Sequence, residues 1–210
     1  MLKTWVVLLC LLAAAASAQE WEIGAIGGFG FAKSNDAKSS AGSASAGFRN
    51  GATLGAFGGG DTHRYWGGEV RYLYRYSDLK LSSGSTDVRF DGHTHIVEAN
   101  FMGHFRPREA RMRPFIAFGG GAKIIQGTGV ERANQPLGRI AALTATQEIL
   151  GVVGVGGGIK MNLSNHFRLR LEGRDYISGF PKNIIAPAPG GSVGGVLHDV
   201  LGLAAISYTW

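Results

Sequence analysis

Trp66-Gly67-Gly68-Glu69-Val70-Arg71-Tyr72-Leu73-Tyr74-Arg75-Tyr76-Ser77 decides how this chain is read. Successive side chains of an extended strand point to opposite sides. Trp66, Gly68, Val70, Tyr72, Tyr74 and Tyr76 therefore share one face, and Gly67, Glu69, Arg71, Leu73, Arg75 and Ser77 share the other. One face is aromatic and apolar and the other carries the charges. A slip of one residue would exchange them, so the register is strongly specified. Taken alone, the alternation fits two architectures of opposite sense. In a soluble barrel the apolar face surrounds a ligand, whereas in a membrane barrel it faces lipid.

The same period recurs along the chain in eight segments, roughly 20–32, 46–58, 64–77, 92–105, 112–124, 148–161, 166–177 and 197–210. Each is long for a soluble strand and suits a tilted strand that spans a bilayer. In the seventh, Phe167, Leu169, Leu171 and Gly173 oppose Arg168, Arg170, Glu172 and Arg174. In the fourth, Val97, Ala99, Phe101 and Phe105 oppose Glu98, Asn100, Met102 and His104. The second segment has no decided orientation, because Leu54 and Phe57 fall on opposite faces. No helical period competes strongly with these segments; residues 141–149 admit a short helix within a loop.

The connections break the tie between the two senses. Gly59 to His63, Arg106 to Arg111 and Asn162 to Asn165 are short. Lys33 to Ser45, Asp78 to Asp91, Gln126 to Gln147 and Ser178 to Val196 are long and either polar or glycine-rich. Short turns alternating with long loops define an all-β, eight-stranded antiparallel up-and-down transmembrane barrel with both termini periplasmic. Trp21, Trp66, Phe105, Phe167 and Trp210 are placed at the periplasmic edge of the bilayer, with Tyr208 beside Trp210; Tyr76 and Phe31 are placed near the outer edge.

Both ends of the chain agree. Lys3, the apolar run Trp5 to Leu12 and Ala16-Ser17-Ala18 form the pattern of a cleaved secretory leader, so residues 1–18 are expected to be removed and 19–210 to form the barrel domain. Cys10 sits behind Leu8-Leu9, early in the apolar run, which does not suit a lipidation box. It is also the chain's one cysteine, so the exported domain carries no disulfide. At the other end the last strand reaches Trp210 without a polar tail, as expected of a strand anchored at a bilayer edge rather than frayed into water. Thirty-four glycines against six prolines suit a closely packed sheet wall, and the net charge of +6 suits an acidic neighbour such as lipopolysaccharide phosphate.

Gly151 to Tyr176, GVVGVGGGIKMNLSNHFRLRLEGRDY, resembles the penultimate hairpin of the small outer-membrane β-barrel family of the OmpA/OmpX type. Arg113-Pro114-Phe115-Ile116-Ala117-Phe118-Gly119-Gly120-Gly121 resembles its fifth strand. The aromatic ending matches its assembly signal, which implies recognition of the C-terminal strand by the barrel-assembly machinery. The resemblance covers essentially the whole mature chain, with one departure: the chain ends with the barrel, so the peptidoglycan-binding domain that some members carry is not expected. That family includes membrane anchors, adhesins and proteins of unknown role.

The principal candidate site is the lumen, where Glu69, Arg71, Arg75, Glu98, Arg168, Arg170, Glu172 and Arg174 are expected to converge. An eight-stranded barrel is only wide enough for side chains to fill, so paired arginines and glutamates would form a plug. The five arginines against three glutamates also allow a narrow, anion-favouring pore. A lipid A-modifying enzyme is the third reading. Its nearest candidate groups are His95 with Glu98, on opposite faces, or His198 and Asp199 with Ser178 or Ser192. His93 and His95 lie on one face but have no placed third ligand for a metal. Gly154-Val155-Gly156-Gly157-Gly158 lies within a strand and lacks a phosphate loop's lysine-serine pair. No catalytic residue, cofactor, metal or nucleic acid is therefore expected; the partners are outer-membrane lipid, lipopolysaccharide and a surface ligand held by the loops. The first loop, 33–43, is small and flexible in composition; in the seventh, Phe180, Ile184 and Ile185 are apolar side chains that either cap the barrel or contact a surface partner.

Overall fold

The computed structural model describes residues 20–130 and 132–210. The expected leader at 1–18 lies outside the described residues. Eight strands close an antiparallel barrel: β1 (Glu20–Ala32), β2 (Gly51–Asp61), β3 (Trp66–Tyr76), β4 (Gly92–His104), β5 (Met112–Gly127), β6 (Gln147–Asn162), β7 (Phe167–Gly179) and β8 (Val196–Thr209). Each pairs with its chain neighbour, and β8 returns to β1 with Ile23 opposite Tyr208 and Gly30 opposite Leu201. Backbone bonds between Trp21 and Trp210 run in both directions, at 3.1 and 3.2 Å, and finish this seam. Closure satisfies the backbone groups that an open sheet edge would leave unpaired in lipid.

The sense of the alternation is that of a membrane barrel. The outer wall presents Ile23, Phe29, Leu54, Val70, Val97, Phe101, Ile116, Phe118, Val153, Leu171, Val200 and Ile206. A soluble barrel would turn this face inward. Trp21, Trp66, Tyr76, Phe105, Phe167, Tyr208 and Trp210 are also exposed on the outside, Trp210 at 60%. Tyr208 joins several of them, with ring centroids 5.6 Å from Phe167 and 6.1 Å from Trp210. Trp21, Trp66, Phe167 and Trp210 ring the end with the short turns, and Tyr76 ends β3 at the end with the long loops.

Three local expectations change. The second strand runs Gly51–Asp61, not 46–58, because residues 42–48 belong to a loop hairpin. Its orientation is now fixed: Thr53, Phe57 and Asp61 point inward and Leu54 faces outward. The first loop is not a slack connection. Asn35–Ser39 and Gly42–Phe48 pair, and continue through Leu79–Ser83 to Thr86–Phe90, with Ser192–Val193 on the opposite side. No helix forms over 141–149, where Ala141–Leu143 pairs with Ile185–Pro187 and Gln147 begins β6. Alternate small and branched residues in these loops give each short strand an apolar side, and the loops fold onto one another to bury it.

Candidate functional site

Two layers of structure fill and cover the bore. The first is ionic. Arg71 Nε donates to Glu69 Oε1 at 2.9 Å, while Nη2 reaches Glu172 Oε2 at 3.2 Å. Arg170 Nη1 donates to Glu69 Oε2 at 2.7 Å, and its guanidinium lies 4.0 Å from the centre of the Phe57 ring. Arg174 Nη2 donates to Glu98 Oε2 at 3.1 Å, and Asn100 Nδ2 donates to the same oxygen at 2.9 Å. Arg75 and Lys123 share Asp199 near the loop end. Arg168 pairs with Glu20, and Arg113 with Asp61, near the turn end. The eight charged residues expected in the lumen are buried; Glu69, Arg71, Arg170 and Glu172 pair among themselves and Arg174 with Glu98, while Arg75 pairs with Asp199 and Arg168 with Glu20.

Reading the strongest strands alone missed half of this arrangement. Glu22 on β1 accepts from Lys160 Nζ and Ser207 Oγ, both at 2.7 Å, and Asp61, Arg113, Lys123 and Asp199 also point inward. Their parity was available: Glu20 and Glu22 alternate with Trp21 and Ile23, and Lys123 shares a face with Arg113. The addition corrects the expected charge. Glu20, Glu22, Asp61, Glu69, Glu98, Glu172 and Asp199 face Arg71, Arg75, Arg113, Lys123, Lys160, Arg168, Arg170 and Arg174, so these groups nearly balance instead of favouring anions. Ions buried in a narrow lumen require such pairing, since an uncompensated charge there is expensive.

The lumen also holds an apolar layer. Leu73, Ile96, Val152, Tyr176 and Leu201 cluster between the Arg75–Asp199 and Arg174–Glu98 groups. Inward glycines make the room: a Cβ at Gly154 would strike the Glu98 carboxylate, and one at Gly30 would lie 2.6 Å from Arg75 Nε.

Above the bore, the loops bury Ala46, Phe48, Leu79, Leu81, Ile140, Leu143, Phe180, Ile184, Ile185 and Leu197 in one apolar cluster. Arg132 ties the fifth and seventh loops by donating to the Gly138, Ala186 and Pro187 carbonyls. Phe180, Ile184 and Ile185 thus pack within a cap and are buried from any surface partner.

The alternative chemical sets are not assembled. His95 faces outward, bonded through Nδ1 to the Tyr72 hydroxyl at 2.8 Å, while Glu98 is buried inside. His198 faces away from Asp199 and instead bonds Asp175 Oδ2 through Nδ1 at 2.7 Å. Ser178 is buried and donates to the Gly179 carbonyl, while Ser192 is exposed opposite Lys38. His93 bonds Gln126 at 2.7 Å, and no group of three or more metal-ligating side chains occurs among the described residues.

A closed barrel with an apolar exterior and a charged interior defines a transmembrane β-barrel protein. The model of the outer membrane protein beta-barrel domain matches residues 4–185, and the chain belongs to that family of bacterial outer-membrane proteins. Among solved structures, Neisserial surface protein A is similar at a TM-score of 0.58 and 13% identity, over 90% of this chain and 97% of that one. Ail, the attachment invasion locus protein of Yersinia pestis, solved in complex with the heparin analogue sucrose octasulfate, aligns at 0.50 and 11% identity, over 91% and 99%. These likenesses concern the fold. No curated protein matches the chain.

Proposed function

We propose that this protein is a non-enzymatic, closed outer-membrane barrel whose working surface is its loop end. Its short turns and both termini face the periplasm, its loops face outward, and residues 1–18 act as a leader removed on export. The observation that carries the reading is the stacking of obstructions along one bore: paired ions, the Leu73–Ile96–Leu201 layer, then the apolar cap. Such a lumen acts as a plug, leaving the loops and the outer wall to meet partners. Exposed Lys38, Arg139 and Lys182 suit an acidic ligand there, in keeping with the heparin analogue held by Ail.

Planar-bilayer recording tests the plug. The purified barrel is expected to show no steady conductance. Steady anion-selective current that is lost on charge reversal at Arg71 or Arg170 would establish the pore instead. Orientation has its own test: an amine reagent that cannot cross membranes should label Lys38 and Lys182 on intact cells. Labelling only after lysis would place the loops on the wrong side.

A further inference from the structure

The outer wall near the loop end carries an unusual row of polar groups. Asp175 on β7, His198 on β8 and Lys33 just beyond β1 line an open crevice of about 450 Å³ with Phe31, Ala32 and Val200. The backbone bond from Lys33 N to the His198 carbonyl, at 3.1 Å, extends the β1–β8 ladder and sets these two residues opposite each other. Directly opposed side chains of an antiparallel pair are close neighbours. Asp175 is offset on the adjoining strand, where Ile177 pairs with His198. Phe31 and Val200 are exposed and face lipid, so the polar row sits immediately above an apolar floor. Charged residues on the lipid face of a barrel are costly in proportion to their depth, and a position at the headgroup level is where they are tolerated.

We propose that this crevice binds the phosphate of an outer-leaflet lipid. Asp175 Oδ2 accepts from His198 Nδ1, which fixes the ring and leaves Nε2 as its remaining polar atom. In the imidazolium form Nε2 donates, and with the Lys33 ammonium it supplies two charge-assisted donors for phosphate oxygens. Set against Asp175, the pair leaves one positive charge, matched to the phosphate. Asp175 Oδ1 is buried without a hydrogen-bond partner and can accept from a hydroxyl or amide of the same lipid. Phe31 and Val200 lie where an acyl chain would run.

This site rests on the loop end facing the outer leaflet, but its chemistry can be tested in detergent, where orientation plays no part. A failure here is therefore distinct from a failure of the labelling test. Folded barrel is titrated with lipid A, dephosphorylated lipid A or phosphatidylglycerol, and bound lipid is counted by native mass spectrometry. Affinity for a phosphorylated lipid should fall by about tenfold or more in the K33Q/H198Q double variant, the scale expected for losing charged hydrogen bonds. R106Q, in an exposed short turn at the opposite end of the barrel, should bind as the unaltered protein does, and inorganic phosphate should compete in the unaltered protein. Stronger retention of lipid A assigns the glycolipid as the source, and stronger retention of phosphatidylglycerol assigns the phospholipid. Equal retention of dephosphorylated lipid A, or unchanged binding in the double variant, overturns the site.

Discussion

Arg71→Ala is expected to destabilise the folded barrel by about 3–5 kcal/mol, the usual cost of stripping one partner from a buried ionic network. Arg71 is 1% exposed and lies between Glu69 and Glu172, with the Tyr176 hydroxyl 3.4 Å from its Nη1. Removing the guanidinium leaves two carboxylates facing each other in a lumen where Arg170 already serves Glu69 and Glu22. Arg71→Lys should cost less, since it keeps the charge while losing the planar fork that reaches both carboxylates. Replacing Arg71 and Glu172 together with Met and Gln should restore most of the loss, because one charge of each sign is removed and Glu69 keeps Arg170 as its partner. The measurement is the urea midpoint of unfolding from lipid vesicles. A loss below about 1 kcal/mol for Arg71→Ala, the range of exposed pairs, would mean that water reaches the network and would count against the proposed plug.

The second large effect concerns the cap. Ile184 is fully buried among Leu79, Leu143, Phe180 and Leu197, and its carbonyl accepts from Thr144 N at 2.9 Å. Ile184→Asp would place an unpaired carboxylate in that cluster at a cost of several kcal/mol, more than loops joined mainly by apolar contact can absorb. The expected outcome is an opened cap above an intact barrel, since the lumen layers form separate clusters. Trypsin should then cut at the loop residues Arg132, Arg139 and Lys182 at least tenfold faster, corresponding to about 1.4 kcal/mol of added opening. A heat-dependent shift in gel migration, expected of the folded barrel, should persist. Loss of that shift together with cleavage would show that cap and barrel unfold as one unit.

The barrel was legible where one face of a strand is charged and the other aromatic. Glu69 to Tyr76 and Arg168 to Arg174 show their register in sequence, and the structure buries Glu69, Arg71, Arg75, Arg168, Arg170, Glu172 and Arg174. Glycine-rich β1, β5 and β6 carry fewer charges per strand, so Glu22, Lys123 and Lys160 emerge only when the parity of neighbouring apolar residues is followed through. The cap was harder to see for a physical reason. Its strands are two to seven residues long, and their apolar side chains meet partners contributed by other loops. Nothing within Asn35–Phe48 alone announces that Ala37 and Ala46 pack beneath residues from the fifth and seventh loops. His198 illustrates the same limit, because its neighbour in sequence is Asp199 and its neighbour in space is Asp175.

The seam between β1 and β8 bears on how the molecule comes to exist. Seven of the barrel's pairings join strands adjacent in the chain, whereas the β1–β8 ladder joins residues from opposite ends, such as Glu22 and Thr209. Local hairpins close short loops at small entropic cost, while this last ladder must gather the whole chain. Until it forms, the sheet has two free borders whose amide groups find no partner in hydrocarbon. Assembly is therefore weighted toward a single late event, and a nascent chain interrupted before Val196 lacks the strand that can complete it. The Trp21–Trp210 bonds are the latch of that event: they finish the turn end of the ladder that turns a curved, unfinished sheet into a cylinder.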